Sequence, residues 1–348
     1  MNQKAKLVSQ DELARISSKC GKILAELDKI LIGRSALHRK VFVGILSRGH
    51  ILLEGLPGVG KTALIKSLGE LLGLEFSRVQ FTPDLMPGDI LGAHILQQDE
   101  SGRREMTFQP GPIFTNILLA DEINRASPKT QSALLEAMQE RSVTLMGNTR
   151  RLPDPFFVLA SQNPIELEGT YPLPEAQLDR FLFKLEVKNA DVKTLKEIIF
   201  TRRHGIPPQP EFKVSKTELD ELFDVMSRIY LPGPVADYIA RVVNSSDPQS
   251  ESATDMVKQF VQYGASPRAA IAVAEASRGV ALLQGRPAVG FEDVREVVTA
   301  ALNHRILLNY KARFEGVTPR DVLIDILKNV RETDLGFEKE IEIAEDGV

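Results

Sequence analysis

The pattern of apolar positions first indicates a helix at the start of the chain. Ser9-Gln10-Asp11-Glu12 has the form of a capping box, and apolar residues then recur at roughly helical spacing as far as Ile30. We therefore predict that residues 1–30 form an N-terminal helical segment.

From about Leu31 to Val187, short apolar runs alternate with helical patterns, which is typical of a parallel sheet crossed by helices. We predict an α/β core over residues 31–188, in which helices sandwich a five-stranded parallel sheet. The apolar runs that predict its strands are His50–Leu53, Phe76–Phe81, Asn116–Asp121, Phe156–Ser161 and Arg180–Leu185.

Two β-hairpins are predicted inside this core, near residues 84–112 and 142–155. The first pairs Ala93–Gln97 with Glu105–Phe108 around a turn at residues 99–102. The second pairs Ser142–Leu145 with Thr149–Leu152 around Gly147-Asn148. Hairpins of this kind are often plain surface excursions, so the pattern leaves their role open.

Beyond Asn189 the strand pattern stops and helix start signals follow. They are Asp191, a second capping box at Ser215-Lys216-Thr217-Glu218, and the pairs Ser266-Pro267 and Thr318-Pro319. We predict an all-helical domain over residues 189–335, reached by a linker near Val187–Ala190, and an acidic tail over residues 336–348.

Composition narrows the class of protein. The chain has 348 residues, of which 43% are hydrophobic and 26% charged, an ordinary balance for a globular protein. Its net charge of -4 argues against a nucleic-acid partner held by bulk charge. A single cysteine, no Cys/His spacing for zinc, no signal-peptide pattern and no run of ~20 apolar residues favour a cytoplasmic chain without a membrane span.

The strongest chemical signal is Gly55-Leu56-Pro57-Gly58-Val59-Gly60-Lys61-Thr62, between an apolar strand and a helical pattern. Backbone N–H groups in such a loop converge on phosphate oxygens, and glycines allow the close approach. Lys61 then reaches the terminal phosphates and the Thr62 hydroxyl takes a magnesium position. The residues predicted to contact the nucleotide here are Gly55, Pro57, Gly58, Val59, Gly60, Lys61, Thr62 and Ala63.

A second signal is the apolar strand that ends in Asp121 and Glu122. The carboxyl end of a parallel strand faces the same crevice as the phosphate loop. We predict that Asp121 holds magnesium through water and that Glu122 acts as base for the attacking water. The alternative is a strand that merely ends in solvated acids.

Three single residues are weaker candidates. Asn163 follows a predicted strand and could bond the attacking water and the γ-phosphate, although an Asn before Pro is commonly a turn residue. Arg180 is either a domain-edge ion pair or an arginine finger for a neighbouring subunit's nucleotide. Arg268 lies in the first turn of a predicted helix, where a cation is disfavoured unless an anion lies opposite.

The order of these motifs resembles that of an AAA+ ATPase. Several longer stretches resemble the MoxR family of the helix-2-insert clade, and the likeness runs from about Leu31 to Val330. The stretches that carry it are Leu53–Thr62, Gln80–Asp84, Asp121–Ala126 and Glu175–Phe181.

The resemblance implies a P-loop AAA+ sheet followed by a helical lid, and a homo-oligomeric ring, usually a hexamer, with ATP and Mg²⁺ between subunits. Ile32-Gly33-Arg34 matches the segment that contacts adenine in such proteins. The roles it implies are phosphate and magnesium binding for Lys61 and Thr62, magnesium and water activation for Asp121 and Glu122, γ-phosphate sensing for Asn163, a trans finger for Arg180 and a lid sensor for Arg268.

Members of this family are thought to remodel partner proteins in a chaperone-like way, often proteins with von Willebrand factor A domains. We therefore expect magnesium-dependent ATP hydrolysis that acts on such a client, with the hairpins facing the pore or the client.

Three other functions stay open at this point. A nucleic-acid motor of the same clade would use Arg103-Arg104 and Arg150-Arg151 beside the hairpins, but the chain has no Trp for base stacking. A metal-chelatase ATPase subunit shares the clade. A non-hydrolysing scaffold is disfavoured by the presence of Glu122 and Arg180.

Overall fold

The computed structural model describes residues 8–98, 104–164, 170–202 and 207–333. The first part contains, in chain order, α1 (Gln10–Ile30), α2 (Ser35–Leu46), β1 (Ile51–Glu54), α3 (Lys61–Leu71), β2 (Phe76–Gln80), α4 (Pro87–Leu91), β3 (Gly92–Gln98), β4 (Arg104–Pro110), β5 (Ile117–Asp121), a 3-10 turn (Ile123–Arg125), α5 (Pro128–Glu140), β6 (Ser142–Leu145), β7 (Asn148–Arg151), β8 (Phe157–Gln162), α6 (Glu175–Leu178) and β9 (Phe183–Glu186).

The second part follows a short connection after β9. It contains α7 (Val192–Thr201), α8 (Lys216–Ser227), α9 (Gly233–Asn244), α10 (Asp255–Phe260), β10 (Val261–Tyr263), α11 (Pro267–Leu283), α12 (Phe291–Leu302), β11 (Leu307–Leu308), α13 (Tyr310–Glu315) and α14 (Pro319–Asn329).

The five predicted strands form one parallel sheet in the order β2-β5-β8-β1-β9. The predicted fold class is confirmed, but the last strand was predicted to begin at Arg180 and β9 begins at Phe183. The carbonyls of Phe181 and Leu182 accept hydrogen bonds from the Arg305 guanidinium. In addition, the amides of Arg180 and Phe181 donate to the carbonyls of Gln177 and Leu178, so these two residues complete the turn after α6 rather than extend along β1.

Alternation along the central strands puts one core on each face of the sheet. In β1, Ile51 and Leu53 join the apolar cluster that includes α1, α2 and the lid helices, whereas Leu52 joins a second cluster with α5. Strands β5 and β8 alternate in the same way. Both faces are thus buried, as expected for a parallel sheet covered by helices.

Both predicted hairpins are present as antiparallel pairs, β3 with β4 and β6 with β7. The turn predicted at residues 99–102 lies outside the described residues. In the second hairpin the turn is Met146-Gly147 rather than Gly147-Asn148, and Asn148 pairs with Leu145. Met146 and Gly147 have φ of 49° and 77°, the positive values that a two-residue hairpin loop of type I′ requires.

The helical part begins as its start signals predict. Ser215 and Glu218 form the capping box of α8, and Ser266 and Thr318 precede α11 and α14. One expectation was wrong, because β10 and β11 form a small antiparallel pair inside this domain. These strands have only three and two residues, too few to show an apolar period. The predicted acidic tail lies outside the described residues.

No helix in the described ranges is long and apolar enough to cross a membrane.

Two buried histidines connect the sheet to its surroundings. His50 accepts a hydrogen bond from the Val158 amide at 2.9 Å and donates to the Met138 carbonyl at 3.2 Å. His304 donates to the Phe181 carbonyl at 3.0 Å. Burial lowers the pKa of His50 to about 4 and the pKa of His304 to about 3. Both imidazoles are therefore neutral in the folded protein near neutral pH.

These two histidines predict a loss of stability in mild acid. The ordinary histidine pKa of 6.5 applies to the unfolded chain, which takes up protons first as the pH falls. Between about pH 7 and about pH 5 we expect the free energy of unfolding to fall by about 2 kcal/mol per histidine. Urea unfolding at about pH 7 and about pH 5 measures this change in the free energy of unfolding. His50→Gln, which keeps one donor and one acceptor but cannot ionise, should make the fall smaller, and an unchanged fall would exclude His50 as a source.

Candidate functional site

The predicted phosphate loop connects β1 to α3, and its backbone needs glycine. Gly58 and Gly60 have φ of 79° and 84°, in the left-handed region that favours glycine. At Gly55 a Cβ would stand 2.6 Å from the Val187 carbonyl oxygen. The loop is thus held between the start of α3 and the end of β9, with the N-terminus of α3 directed into it.

Lys61 is the first residue of α3, and its side chain folds back over the loop. Its ammonium donates to the Gly55 carbonyl at 2.5 Å, and the residue is buried. Burial lowers the pKa of Lys61, and the carboxylates of Asp121 and Glu122 oppose that change. Lys61 is therefore a desolvated cation close to the acids at the end of β5, and Thr62 follows it in the first turn of the helix.

Asp121 ends β5 as a buried carboxylate with two different partners. One oxygen accepts from the Ser161 hydroxyl at 2.5 Å, and the other accepts from the Arg78 guanidinium at 2.7 Å. Ser161 lies on β8, the next strand of the sheet, and Arg78 lies on β2, the strand on the other side. The carboxylate is therefore oriented by both neighbours of its own strand.

Glu122 directly follows β5 in a left-handed conformation, with φ of 57°. Such a conformation is uncommon for a residue with a side chain and is found in turns and at functional sites. The Glu122 amide donates to the Ser161 hydroxyl at 2.9 Å, which holds the turn. The carboxylate accepts from Gln80 at 2.8 Å and from Arg125 at 3.0 Å.

Asn163 is buried directly after β8, between the acids and the loop. The preceding carbonyl, that of Gln162, accepts from the Gly55 amide at 3.1 Å, so β8 ends against the first residue of the phosphate loop. Because β8 lies between β5 and β1, the structure brings Asp121, Glu122 and Asn163 to the edge of the sheet that carries the loop.

A cavity of about 680 Å³ lies beside the phosphate loop. It is enclosed by the loop, by the connection between α1 and α2, and by α7 of the lid. The predicted nucleotide residues on its wall are Pro57, Gly58, Val59, Gly60 and Ala63, and the other wall residues are Ile30, Leu31, Ile32, Arg34, His38, Leu64, Asn189, Ala190, Leu195, Ile198, Arg202 and Pro207.

Gly33 lies next to this wall, between Ile32 and Arg34, and packs against the lid. Its φ is 84°, and a Cβ would stand 2.3 Å from the Thr194 hydroxyl of α7. Arg34 donates to the Val59 carbonyl of the phosphate loop. The predicted adenine segment thus contacts both the loop and the lid, which is the position that a base between them requires.

Arg180 and Arg268 both lie near Asp179, and neither is among the described wall residues of the cavity. The same is true of other predicted site residues, among them Lys61, Thr62, Asp121, Glu122 and Asn163. The Arg180 guanidinium donates to the Leu135 carbonyl at 2.6 Å. Arg268, in the first turn of α11, lies 3.8 Å from a carboxylate oxygen of Asp179 and is 57% exposed. An anion was expected opposite Arg268, and the Asp179 carboxylate is one such group. Asp179 is next to Arg180 in the chain.

The donor set suits magnesium. The Thr62 hydroxyl and the Asp121 carboxylate are oxygen donors, which Mg²⁺ prefers. Within the described ranges no group of three or more His, Cys, Asp or Glu side chains could hold a metal ion by itself. A magnesium ion bound here would take its remaining ligands from phosphate and water, as this ion commonly does.

Comparison with known proteins identifies the family. A model described as "ATPase family associated with various cellular activities (AAA)" matches residues 50–183, and an AAA lid domain model matches residues 253–326. "Chaperone MoxR1" of Mycobacterium tuberculosis is 44% identical over 306 residues, covering 88% of this chain and 80% of the relative. "Protein MoxR" of Methylorubrum extorquens is 30% identical over 335 residues, covering 88% and 92%. The chain belongs to the MoxR family of AAA+ ATPases.

A solved structure agrees with this assignment. The crystal structure of a candidate ATPase from Cytophaga hutchinsonii superposes with a TM-score of 0.84 at 38% identity, covering 92% of this chain and 97% of that one. The MoxR-family fold, with its AAA sheet and lid, therefore extends over nearly the whole chain.

Several residues of the MoxR-type site are not apparent from sequence motifs. Ser161 bridges Asp121 and the Glu122 amide, and Gln80 holds the Glu122 carboxylate. The available signal was positional, because Gln80 and Ser161 are polar residues at the ends of strands on either side of β5. Parallel register would have placed Gln80 opposite Asp121, as is observed.

The packing of Gly33 predicts a selective effect on nucleotide affinity. Gly33→Ala should weaken ATP binding at least ~10-fold, because the new methyl group meets Thr194 and the positive φ is strained. Titration with a fluorescent ATP analogue measures the affinity. Gly21→Ala is the matched control, since a Cβ there meets nothing within 4 Å, and it should leave affinity unchanged. Equal affinity in the two variants would exclude the segment from the site.

Proposed function

We propose that this chain hydrolyses ATP with magnesium and works as a ring-forming remodeller of client proteins. The observation that carries the hydrolytic part is the arrangement of Asp121 and Glu122 around the Ser161 hydroxyl, at the sheet edge that bears the phosphate loop. Solvated acids at a strand end would not need a buried carboxylate and a left-handed Glu122. Membership of the MoxR family supports the same conclusion.

The residues suggest how the chain would carry out hydrolysis. The loop amides and Lys61 bind the phosphates, with Lys61 exchanging the Gly55 carbonyl for phosphate oxygens. Bound magnesium would neutralise charge on the phosphates, held by Thr62 and, through water, by Asp121. Glu122 takes a proton from the attacking water at its carboxylate, and Asn163 orients that water against the γ-phosphate.

The location of Arg180 supports a site shared between subunits. An arginine finger acts on a phosphate supplied by another subunit, so it must lie away from its own chain's nucleotide. Both arginines are held by groups outside the phosphate loop: Arg180 donates to the Leu135 carbonyl of α5, and Arg268 lies near the Asp179 carboxylate. Together with the family resemblance, this favours a homo-oligomeric ring, a hexamer, in which both arginines approach a neighbour's nucleotide.

The hairpins suit contact with a protein. Large apolar side chains are exposed on them and at their base, namely Met86, Leu96, Met106 and Met146. Methionine adapts its shape to varied surfaces, which is useful for binding a polypeptide. We propose a client with a von Willebrand factor A domain on the strength of the family resemblance.

A nucleic-acid motor is less well supported by the same hairpins. The Arg150 guanidinium lies over the Phe108 ring, 3.9 Å from its centroid, so this cation joins the two hairpins. Phe108 is also enclosed by the rings of His94 and Phe114 and is not an open stacking platform. Arg103 lies outside the described residues.

Substitutions of Lys61 and Glu122 should separate nucleotide binding from turnover. Lys61→Ala should lose ATP binding, because it removes the cation that faces the phosphates. Glu122→Gln should bind ATP normally and lower kcat at least ~100-fold, because an amide cannot accept the proton. Nucleotide titration and phosphate release measure both quantities. A normal kcat in Glu122→Gln would exclude it as the base.

The stalled variant also tests the client. Glu122→Gln loaded with ATP and magnesium should retain a protein with a von Willebrand factor A domain from native lysate, insensitive to nuclease and lost with Lys61→Ala. Recovery of nucleic acid, or of proteins released by nuclease, would contradict the remodeller and support a motor.

The shared site predicts complementation between two inactive variants. Arg180→Ala should bind ATP normally but hydrolyse it at least ~100-fold more slowly, because its neighbour's nucleotide lacks the finger. Mixing it with Lys61→Ala, which binds no nucleotide but keeps Arg180, should restore turnover. Wild-type turnover in Arg180→Ala alone, or no restoration on mixing, would contradict a site between subunits.

A further inference from the structure

The turn that follows α12, Asn303 to Arg305, binds the backbone on both sides of Arg180. All five N–H donors of the Arg305 guanidinium are used: its Nε donates to the Asp179 carboxylate at 2.7 Å, and its other nitrogens donate to carbonyls. Those carbonyls belong to Asp179 at 2.9 Å, Phe181 at 2.8 Å, Leu182 at 3.2 Å and Ala301. Arg305 is 8% exposed. A planar fork of donors in this position fixes the path of the backbone rather than one contact.

The two residues before Arg305 also bind this segment. His304 donates to the Phe181 carbonyl at 3.0 Å, and Asn303 donates to the Lys184 carbonyl at 3.2 Å. Three consecutive lid residues thus bind the segment from Asp179 to Lys184. The side chain of Arg180 leaves this segment in another direction, toward the Leu135 carbonyl of α5.

Asp179 also connects this segment to the beginning of α11. Its second carboxylate oxygen accepts from the Ser266 hydroxyl at 3.1 Å and lies 3.8 Å from the Arg268 guanidinium. Two separate parts of the lid, the turn after α12 and the start of α11, therefore meet at one carboxylate. That carboxylate belongs to the residue just before Arg180, so movement of either part of the lid is transmitted to the backbone of Arg180.

We propose that Asp179 and Arg305 are positioning residues, which set the direction of Arg180 toward the neighbouring subunit's nucleotide according to the position of the lid. This inference rests on the proposed site between subunits. Neither residue touches the reacting atoms: Arg305 acts through the carbonyls of the Arg180 segment, and Asp179 joins that segment to Ser266 and Arg268.

Stability alone is a weak explanation for this arrangement. A buried ion pair adds little stability compared with apolar residues of similar size, because both charges must lose water. The donors of Arg305 instead hold separate points on one short segment, and small errors in the placement of a catalytic group cost large factors in rate. We therefore expect turnover to fall only when the substituted subunit is the one that supplies the arginine finger. We call this a directional effect.

Mixed rings can test this direction with Asp179→Asn, which keeps the size of the side chain and one acceptor for Arg305. When one chain carries both Asp179→Asn and Lys61→Ala, Asp179→Asn lies in the subunit that donates the arginine finger. When one chain carries both Asp179→Asn and Arg180→Ala, it lies in the subunit that binds ATP and receives a finger. We expect turnover in the mixture to fall about tenfold in the first placement and to change less than about twofold in the second. ATP affinity should be unchanged in the second placement.

Two further variants distinguish the positioning role from a general defect of the lid. Arg305→Lys keeps the charge but loses the planar fork, and in the donor subunit it should lower turnover at least as much as Asp179→Asn. Asp293→Asn is the matched control, because Asp293 is a buried carboxylate of α12 that pairs with Arg286 instead of the Arg180 segment. It should have no directional effect.

The outcomes separate this inference from the proposed function. If the parent mixture of Lys61→Ala and Arg180→Ala shows no turnover, the shared site is wrong and the positioning role is wrong with it. If the parent mixture is active but Asp179→Asn lowers turnover equally in both placements, or in neither, the shared site stands and the positioning role is overturned.

Discussion

The parallel pairing of β8 between β5 and β1 is the constraint on which the nucleotide site depends. One strand serves both neighbours: its Ser161 hydroxyl holds Asp121 and the Glu122 amide, and its Gln162 carbonyl accepts from Gly55 at the start of the phosphate loop. Because parallel strands end at the same edge of the sheet, Asp121, Glu122 and the phosphate loop lie next to one another there. A shift of β8 along its neighbours would separate Asp121 from the phosphate loop.

Strain and desolvation are concentrated at this edge. Glu122 has a left-handed backbone, and Lys61 is a buried cation that donates to Gly55 of its own loop. Neither state would persist in an isolated peptide, since each is maintained by partners on other strands or by the sheet itself. The apolar clusters on the two faces of the sheet thus stabilise a polar edge that is unfavourable by itself, and this edge carries groups that can bind a charged ligand.

Local patterns predicted the parts whose geometry is encoded in a short stretch of chain. The five strands follow from short apolar runs that stand between helical patterns, and the phosphate loop follows from glycines that the backbone needs at Gly58 and Gly60. The missed features join residues far apart in sequence, such as Ser161 with Asp121 and Arg305 with Asp179. The start of β9 was placed too early because Arg180 and Phe181 complete the turn after α6, and because the distant Arg305 binds the carbonyls of Phe181 and Leu182.

Two of the contacts between the lid and the rest of the chain have different chemistry and concern the candidate site. On the cavity side, Thr194 packs on Gly33, and Arg202 donates to the carbonyls of Lys29 and Ile30. Elsewhere, the turn after α12 binds the segment that carries Arg180. Between these two contacts, lid helices α8 to α12 pack in one apolar core with the sheet. Movement of the lid at the first contact would therefore act on the second, and in the proposed ring this would connect occupancy of one site to the finger of the next.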